Sequence, residues 1–213
     1  VQSFIIGITG GSGSGKTSFI HNLKETFTSD QVCFISQDDY YKPRALQIVD
    51  DAGISNFDLP QSIFKDELYA DLCQLKEGKA IIRDEYTFNN KQLTPKILHF
   101  NPAPIIIVEG LFILYFEEIR KLLNLSLFVQ AKENLKVIRR IRRDQNERNY
   151  PIDDVLYRYE NHVMPAYEKY IKPFAEEVDI IINNNKHFAQ ALQVVKGFMT
   201  DFLSKQQINS GNT

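Results

Sequence analysis

Residues 4–17 leave this chain little freedom in how it begins to fold. Phe4-Ile5-Ile6-Gly7-Ile8-Thr9 is an apolar, β-branched run of strand length, and Gly10-Gly11-Ser12-Gly13-Ser14-Gly15-Lys16-Thr17 follows it directly. An apolar run without polar alternation suits a strand buried on both faces, and such strands belong to parallel sheets covered by helices. The segment 17–27 reads as the helix providing the first cover. Strand, glycine-rich turn and helix N-terminus together gather backbone N–H groups around one anion at the positive end of a helix dipole. The spacing fits G-x-x-x-x-G-K-[ST]. In that pattern the glycines admit phosphates close to the backbone, Lys16 reaches the β- and γ-phosphates, and the Thr17 hydroxyl binds Mg²⁺. The expected ligand is a nucleoside triphosphate.

Four more apolar runs, Val32–Ser36, Ile105–Glu109, 125–129 and 178–182, read as further buried strands. Helical patterns lie between or after them at 61–76, 133–143, 153–170 and 187–203, the middle pair broken near Asn149-Tyr150-Pro151. Alternating strands and helices predict an α/β fold: a doubly wound, five-stranded parallel sheet with helices on both faces. With 213 residues and 43% hydrophobic content, one domain over 1–205 is expected, followed by a disordered polar tail at 206–213. Two long segments, 38–59 and 81–100, interrupt the alternation; both are expected at the C-terminal edge of the sheet, where open α/β folds bind ligands.

A net charge of −2 argues against general binding to nucleic acid or membrane surfaces. No 18-residue apolar run is present, and Cys33 and Cys73 form no metal-ligand or redox motif. Free thiols suit a reducing, cytoplasmic setting.

Two strands end in acids. After Val32–Ser36 come Asp38 and Asp39, competing candidates to accept a proton from an attacking hydroxyl or to help hold Mg²⁺. Ile105-Ile106-Ile107-Val108 runs into Glu109, an acid placed to join Thr17 around Mg²⁺, which takes oxygen ligands. In Arg139-Arg140-Ile141-Arg142-Arg143 four arginines occupy five positions and point around the helix, so they do not serve one ligand together. Arg140 and Arg143 share a face, and Arg148 lies beyond. Arginines suit the charge that develops on a transferring phosphoryl group, whereas a solvated helix laced with pairs such as Arg140–Asp144 is the competing reading.

The combination of GGSGSGKTS, SQDDYYK, NFDLP, Glu85-Tyr86-Thr87-Phe88, IIIVEG, RRIRRDQNER and Met164-Pro165-Ala166-Tyr167-Glu168 resembles the uridine kinase family, within the phosphoribulokinase/uridine kinase group. The resemblance implies ATP- and Mg²⁺-dependent phosphorylation of the 5′-hydroxyl of uridine or cytidine, with a lid at 139–150 and a nucleoside-side insertion at 81–100. Gly10, Gly11, Ser12, Gly13, Ser14, Gly15, Lys16, Thr17 and Ser18 would then cradle ATP, joined by the lid residues Arg140 and Arg143. Asp38 would be the general base, and Lys16, Arg143 and Arg148 would assist transfer. Thr17, Asp38 and Glu109 would surround Mg²⁺. The nucleoside would meet Asp38, Tyr41, Asp58, Tyr86, Phe88, Lys91 and Arg148, with Asp58 on the ribose hydroxyls. The expected partner is a small molecule, with assembly of identical copies left open.

The chain departs from the family pattern at three nucleoside-reading positions, which hold Lys91, Tyr150 and Arg158 in place of His, Arg and Gln. An ammonium donates and never accepts, so a Lys91 that reaches the base would favour the uracil carbonyl over the cytosine amino group. Alternatives are a kinase for another nucleoside or sugar-like alcohol, and a regulatory protein on the same fold. A guanine-specific switch protein is disfavoured, because neither Asn90-Lys91-Gln92-Leu93 nor Asn185-Lys186-His187-Phe188 ends in Asp.

Overall fold

The computed structural model describes residues 3–88, 93–148 and 150–210, with the backbone alone at 147, 148, 207, 209 and 210. Five strands, β1 (Phe4–Thr9), β2 (Val32–Ser36), β7 (Ile105–Glu109), β8 (Leu125–Gln130) and β9 (Ile180–Asn183), form one parallel sheet in the order β2-β7-β1-β8-β9. β7 thus sits between two strands that precede it in sequence. Two short antiparallel hairpins fill the segments that broke the alternation: β3 (Ile48–Val49) with β4 (Ser55–Asn56), and β5 (Ile81–Asp84) with β6 (Ile97–Phe100).

The uninterrupted apolar strands divide their side chains between two cores. Ile105 and Ile107 of β7 pack with Ile6 and Ile8 on one face, against Phe19, Ile20 and Leu23 of helix α1 (Lys16–Lys24) and Leu192, Val195 and Met199 of helix α7 (Ala189–Ser210). Ile106 and Val108 pack with Ile5 and Ile35 on the other face, against Leu68, Leu72 and Leu75 of helix α2 (Lys65–Lys76). The period of two in a strand imposes this division. Each of those leucines, wholly buried, contributes about 1.5–3 kcal/mol by leaving water. Asp66 and Glu67 start α2 and Lys76 ends it, in accord with the helix dipole, and Gly78 in the left-handed region (φ 83°) follows.

Helix α3 (Glu117–Arg120) is a single turn. Helix α4 (Glu133–Arg148) runs longer than its predicted 133–143, and helix α5 (Ile152–Arg158) starts after Pro151. The predicted helix 153–170 is interrupted by π-helical turns at Tyr159–Val163 and Tyr167–Ile171, on either side of α6 (Met164–Ala166). The polar tail expected from Gln206 is instead helical as far as Ser210. Gln and Lys are good helix formers and nothing breaks the pattern before Gly211, so α7 propagates. Among the described residues no helix is long and apolar enough to cross a membrane.

Candidate active site

The C-terminal ends of β1, β2 and β7 lie side by side, and each carries one predicted functional segment. Gly10–Gly15 leaves β1 and turns into α1. Gly10 (φ 145°) and Gly13 (φ 77°) adopt backbone that L side chains avoid, and a Cβ there would strike Val129 O and Lys136 O respectively. The loop is therefore held against β8 and α4 as well as turned by its glycines. Lys16 Nζ donates to Gly10 O at 2.8 Å, while Thr17 and Ser18 are exposed at the start of α1. Burial lowers the Lys16 pKa, opposed mainly by the Glu109 and then the Asp38 carboxylate. Those two acids are therefore the charges that favour its ammonium most.

Ser36 and Glu109 are register partners on β2 and β7. The Ser36 hydroxyl donates to Glu109 Oε1 at 2.6 Å and accepts from the Asp38 N–H at 3.2 Å, capping the 3₁₀ turn Gln37–Tyr40. One hydroxyl thus braces the two segments that carry acids. Asp39 Oδ1 accepts from the Tyr86 N–H at 3.4 Å, and burial raises its pKa. Sequence reasoning missed Ser36 as a brace because its partner is 73 residues away. Its place as the last residue of a buried strand was the available signal.

Helix α4 lies over the loop, and its phase sorts the arginines. Arg139 donates to Ser14 O at 3.4 Å and Asn184 O at 3.1 Å, and Asn184 Nδ2 donates to Ser14 O at 2.8 Å. Arg140 Nη1 donates to Ser12 Oγ at 2.9 Å and lies 3.8 Å from Asp58 Oδ1. Arg140 Nε lies 3.2 Å, and Arg143 Nη2 2.9 Å, from opposite oxygens of Asp144. The Arg140–Asp144 pair exists, but it is buried, with the residues 8% and 2% exposed, so the solvated-helix reading does not hold there. Arg142 is exposed. The Arg148 side chain and all of Lys91 lie outside the described residues. Neither Arg139 nor Asn184 stood out as a loop clamp from sequence.

Lys136 is a further unforeseen member. Its ammonium is 2.6 Å from Glu133 Oε1 and 3.4 Å from the centre of the Tyr167 ring, and burial lowers its pKa.

Opposite the loop, four aromatic rings cluster. Tyr41 is 5.5 Å from Tyr86, 6.2 Å from Phe88 and 6.1 Å from Phe57 between centroids, and Tyr86 is 5.1 Å from Phe88. Phe57 was not predicted. Phe88 is exposed and takes φ 53°, a conformation uncommon for a bulky side chain. Tyr41 is held well above its usual pKa by burial and then by the Asp38 and Asp58 charges. Arg83 anchors the hairpin that carries Tyr86, with its guanidinium 3.6 Å from the Tyr40 ring centre and 2.8 Å from Asp71 Oδ2. Of the departures from the family pattern, Tyr150 is exposed and Arg158 Nη1 donates to Ser55 O at 3.0 Å.

An all-parallel sheet with a phosphate loop after its middle strand, acids after two adjacent strands and an arginine-bearing helix over the loop define a P-loop phosphotransferase fold. The chain belongs to the Phosphoribulokinase / Uridine kinase family, whose profile it matches over residues 5–189. It is 35% identical to a uridine kinase of Lactococcus lactis over 85% of this chain and 88% of that protein. With a uridine kinase of Bacillus pumilus it shares 36% identity over 90% of this chain and 92% of that one. Among solved structures, its fold resembles a possible uridine kinase from Bacillus stearothermophilus, with TM-score 0.60, 19% identity and coverage of 85% and 89%. It also resembles phosphoribulokinase from Rhodobacter spheroides, with TM-score 0.59, 19% identity and coverage of 85% and 70%.

Proposed function

We propose that this chain is a uridine kinase of the cytoplasm, which transfers the γ-phosphoryl group of ATP to the 5′-hydroxyl of uridine. The observation that carries the reading is the reach of Arg140, one guanidinium that touches the phosphate loop at Ser12 and approaches Asp58 beside the aromatic cluster. Donor and acceptor sides therefore lie within one side chain of each other, as in-line transfer between two bound substrates requires.

In this reading Gly10–Ser18 cradles the triphosphate, and Lys16 neutralises its terminal oxygens. Asp58 takes the ribose hydroxyls, and the uracil enters the cluster of Tyr41, Tyr86 and Phe88. Asp38 orients the 5′-hydroxyl and accepts its proton, while Asp39 accepts from the Tyr86 backbone N–H. Arg140, Arg143 and Arg148 add positive charge as α4 closes over the site and excludes water. Thr17, Asp38 and Glu109 fit a magnesium ion that is shared with substrate phosphates. The described residues contain no cluster of three or more His, Cys, Asp or Glu able to hold a metal alone, and Mg²⁺ usually uses one or two carboxylates. When bound, that ion would offset phosphate charge.

The test is ADP release from Mg-ATP with a panel of nucleosides and sugars. Uridine should give the highest kcat/KM, with cytidine lower if Lys91 reads the base. Asp38→Asn should cut kcat about a hundredfold or more and leave the KM for ATP nearly unchanged. Turnover confined to a sugar, or full activity in Asp38→Asn, overturns the assignment.

A further inference from the structure

Hairpin β3–β4 ends two residues before Asp58, and its turn is fastened to the helix downstream of the lid. Both oxygens of Asp50 are used, for different purposes. Oδ1 accepts from the backbone N–H groups of Ala52 at 3.0 Å and Ile54 at 2.8 Å, which closes the turn. Oδ2 points away from the turn, accepting from Tyr157 Oη at 3.0 Å and lying 2.7 Å from His162 Nε2. Next to them Arg158 Nη1 donates to Ser55 O on β4.

Tyr157 and His162 are five positions apart, which on a regular α-helix places them about 140° apart around the axis. The π-helical turn Tyr159–Val163, closed by Met164 N–H to Tyr159 O, inserts the extra residue that brings both to one carboxylate. Their rings meet edge to face, 6.0 Å between centroids. His162 is 1% exposed, and the Asp50 carboxylate it meets is partly exposed. The Ile54 N–H, helped by His162, Tyr157 and Ala52, lowers the Asp50 pKa to about 2, so the acceptor is charged at any working pH.

We propose that Asp50 is a positioning residue for the acceptor. Through Oδ2 it pins the β3–β4 hairpin to the π-turn and so sets where Asp58 stands relative to Arg140. The inference rests on Asp58 facing the acceptor, as read above. Asp50 touches no substrate, and its effect belongs in acceptor binding.

The two functions of the carboxylate can be separated. Tyr157→Phe removes one donor to Oδ2 and leaves the turn at Oδ1 whole. Asp50→Asn keeps an oxygen for the turn and replaces the charged acceptor. Each should raise the KM for uridine about three- to tenfold, a part of the roughly tenfold or more that a lost hydrogen bond to a charged group costs directly, because Asp50 acts through the hairpin; kcat and the KM for ATP should be unchanged. The double variant should fall short of the product of the single effects, because both act on one bond. A uridine KM unchanged in both single variants, or one that rises only together with the KM for ATP, overturns the proposal. Asp58→Asn is measured beside them. If it leaves the uridine KM unaltered while Asp50→Asn raises it, the assignment of Asp58 fails and Asp50 acts through another part of the wall.

Discussion

Ser36→Ala tests whether the acids of the site work as a braced unit. The substitution removes a hydroxyl that donates to Glu109 Oε1 at 2.6 Å and accepts from Asp38 N–H at 3.2 Å. A hydrogen bond to a charged acceptor contributes about 1.5–3 kcal/mol, and a neutral one about 0.5–1.5. Both partners here are half-buried, so the lower end of each range applies, and together they hold the two acids with about 2 kcal/mol. If that orientation matters most in the transition state, 2 kcal/mol corresponds to about a thirtyfold fall in kcat. The assay is ADP release at saturating uridine and ATP over a magnesium titration. Ser36→Ala should lower kcat ten- to a hundredfold, about a decade per 1.4 kcal/mol, and raise the magnesium concentration for half-maximal rate. The uridine KM should stay near its original value, and Ser36→Thr, which keeps a hydroxyl on a strand, should recover most of the loss. A Ser36→Ala enzyme with unaltered kcat and magnesium dependence would refute the brace.

Further outcomes follow from two buried groups. Asp144→Asn leaves Arg140 and Arg143 facing an uncharged, buried amide, which should destabilise the fold by about 3 kcal/mol, read as a lower denaturant midpoint at constant slope. The KM for ATP should rise as well, because Arg140 loses the partner that aims it at Ser12; an unchanged midpoint contradicts the buried pair. Cys33 is held up to about 11 by burial in β2, so its neutral thiol favours the folded state. The sign follows from linkage: that stability is complete below the unfolded thiol pKa of about 8.5 and is lost as pH rises towards 11. Denaturation between pH 8 and 10.5 should therefore weaken the native chain more than Cys33→Val. A thiol reagent at pH 8.5 should label half-buried Cys73 well before Cys33, and equal labelling rates would contradict the burial.

The parts of the chain that could be read directly are those whose physics is local. Five buried strands announce themselves because a strand covered on both faces must be apolar throughout. The phosphate loop is equally plain, since its glycines, Lys16 and Thr17 act within eight consecutive residues. The acids ending two strands were visible for the same reason, whereas Tyr41, Tyr86 and Phe88 came into view only through the resemblance to uridine kinases. The resemblance to uridine kinases then ordered these pieces and directed attention to Asp58, an acid with no local signal of its own.

What tertiary structure alone decided concerns partners distant in sequence and phase around a helix. The order β2-β7-β1 brings Ser36 beside Glu109, and no pattern within either strand specifies that neighbour. Four arginines of similar local surroundings separate into a loop clamp, a bridge to Asp58, a partner of Asp144 and an exposed side chain. Their directions differ, and the loop lies under only one side of α4. The π-turn at Tyr159–Val163 has no periodicity to betray it, yet it brings Tyr157 and His162 to Asp50. Sequence by itself determined that this chain forms a parallel α/β sheet that grips phosphate, because backbone conformation and burial are written residue by residue. How far Asp58 and the aromatic cluster stand from that grip was decided by the packing of α4, α5 and two hairpins, since hydrogen bonds and ion pairs depend on distances that only the folded chain sets.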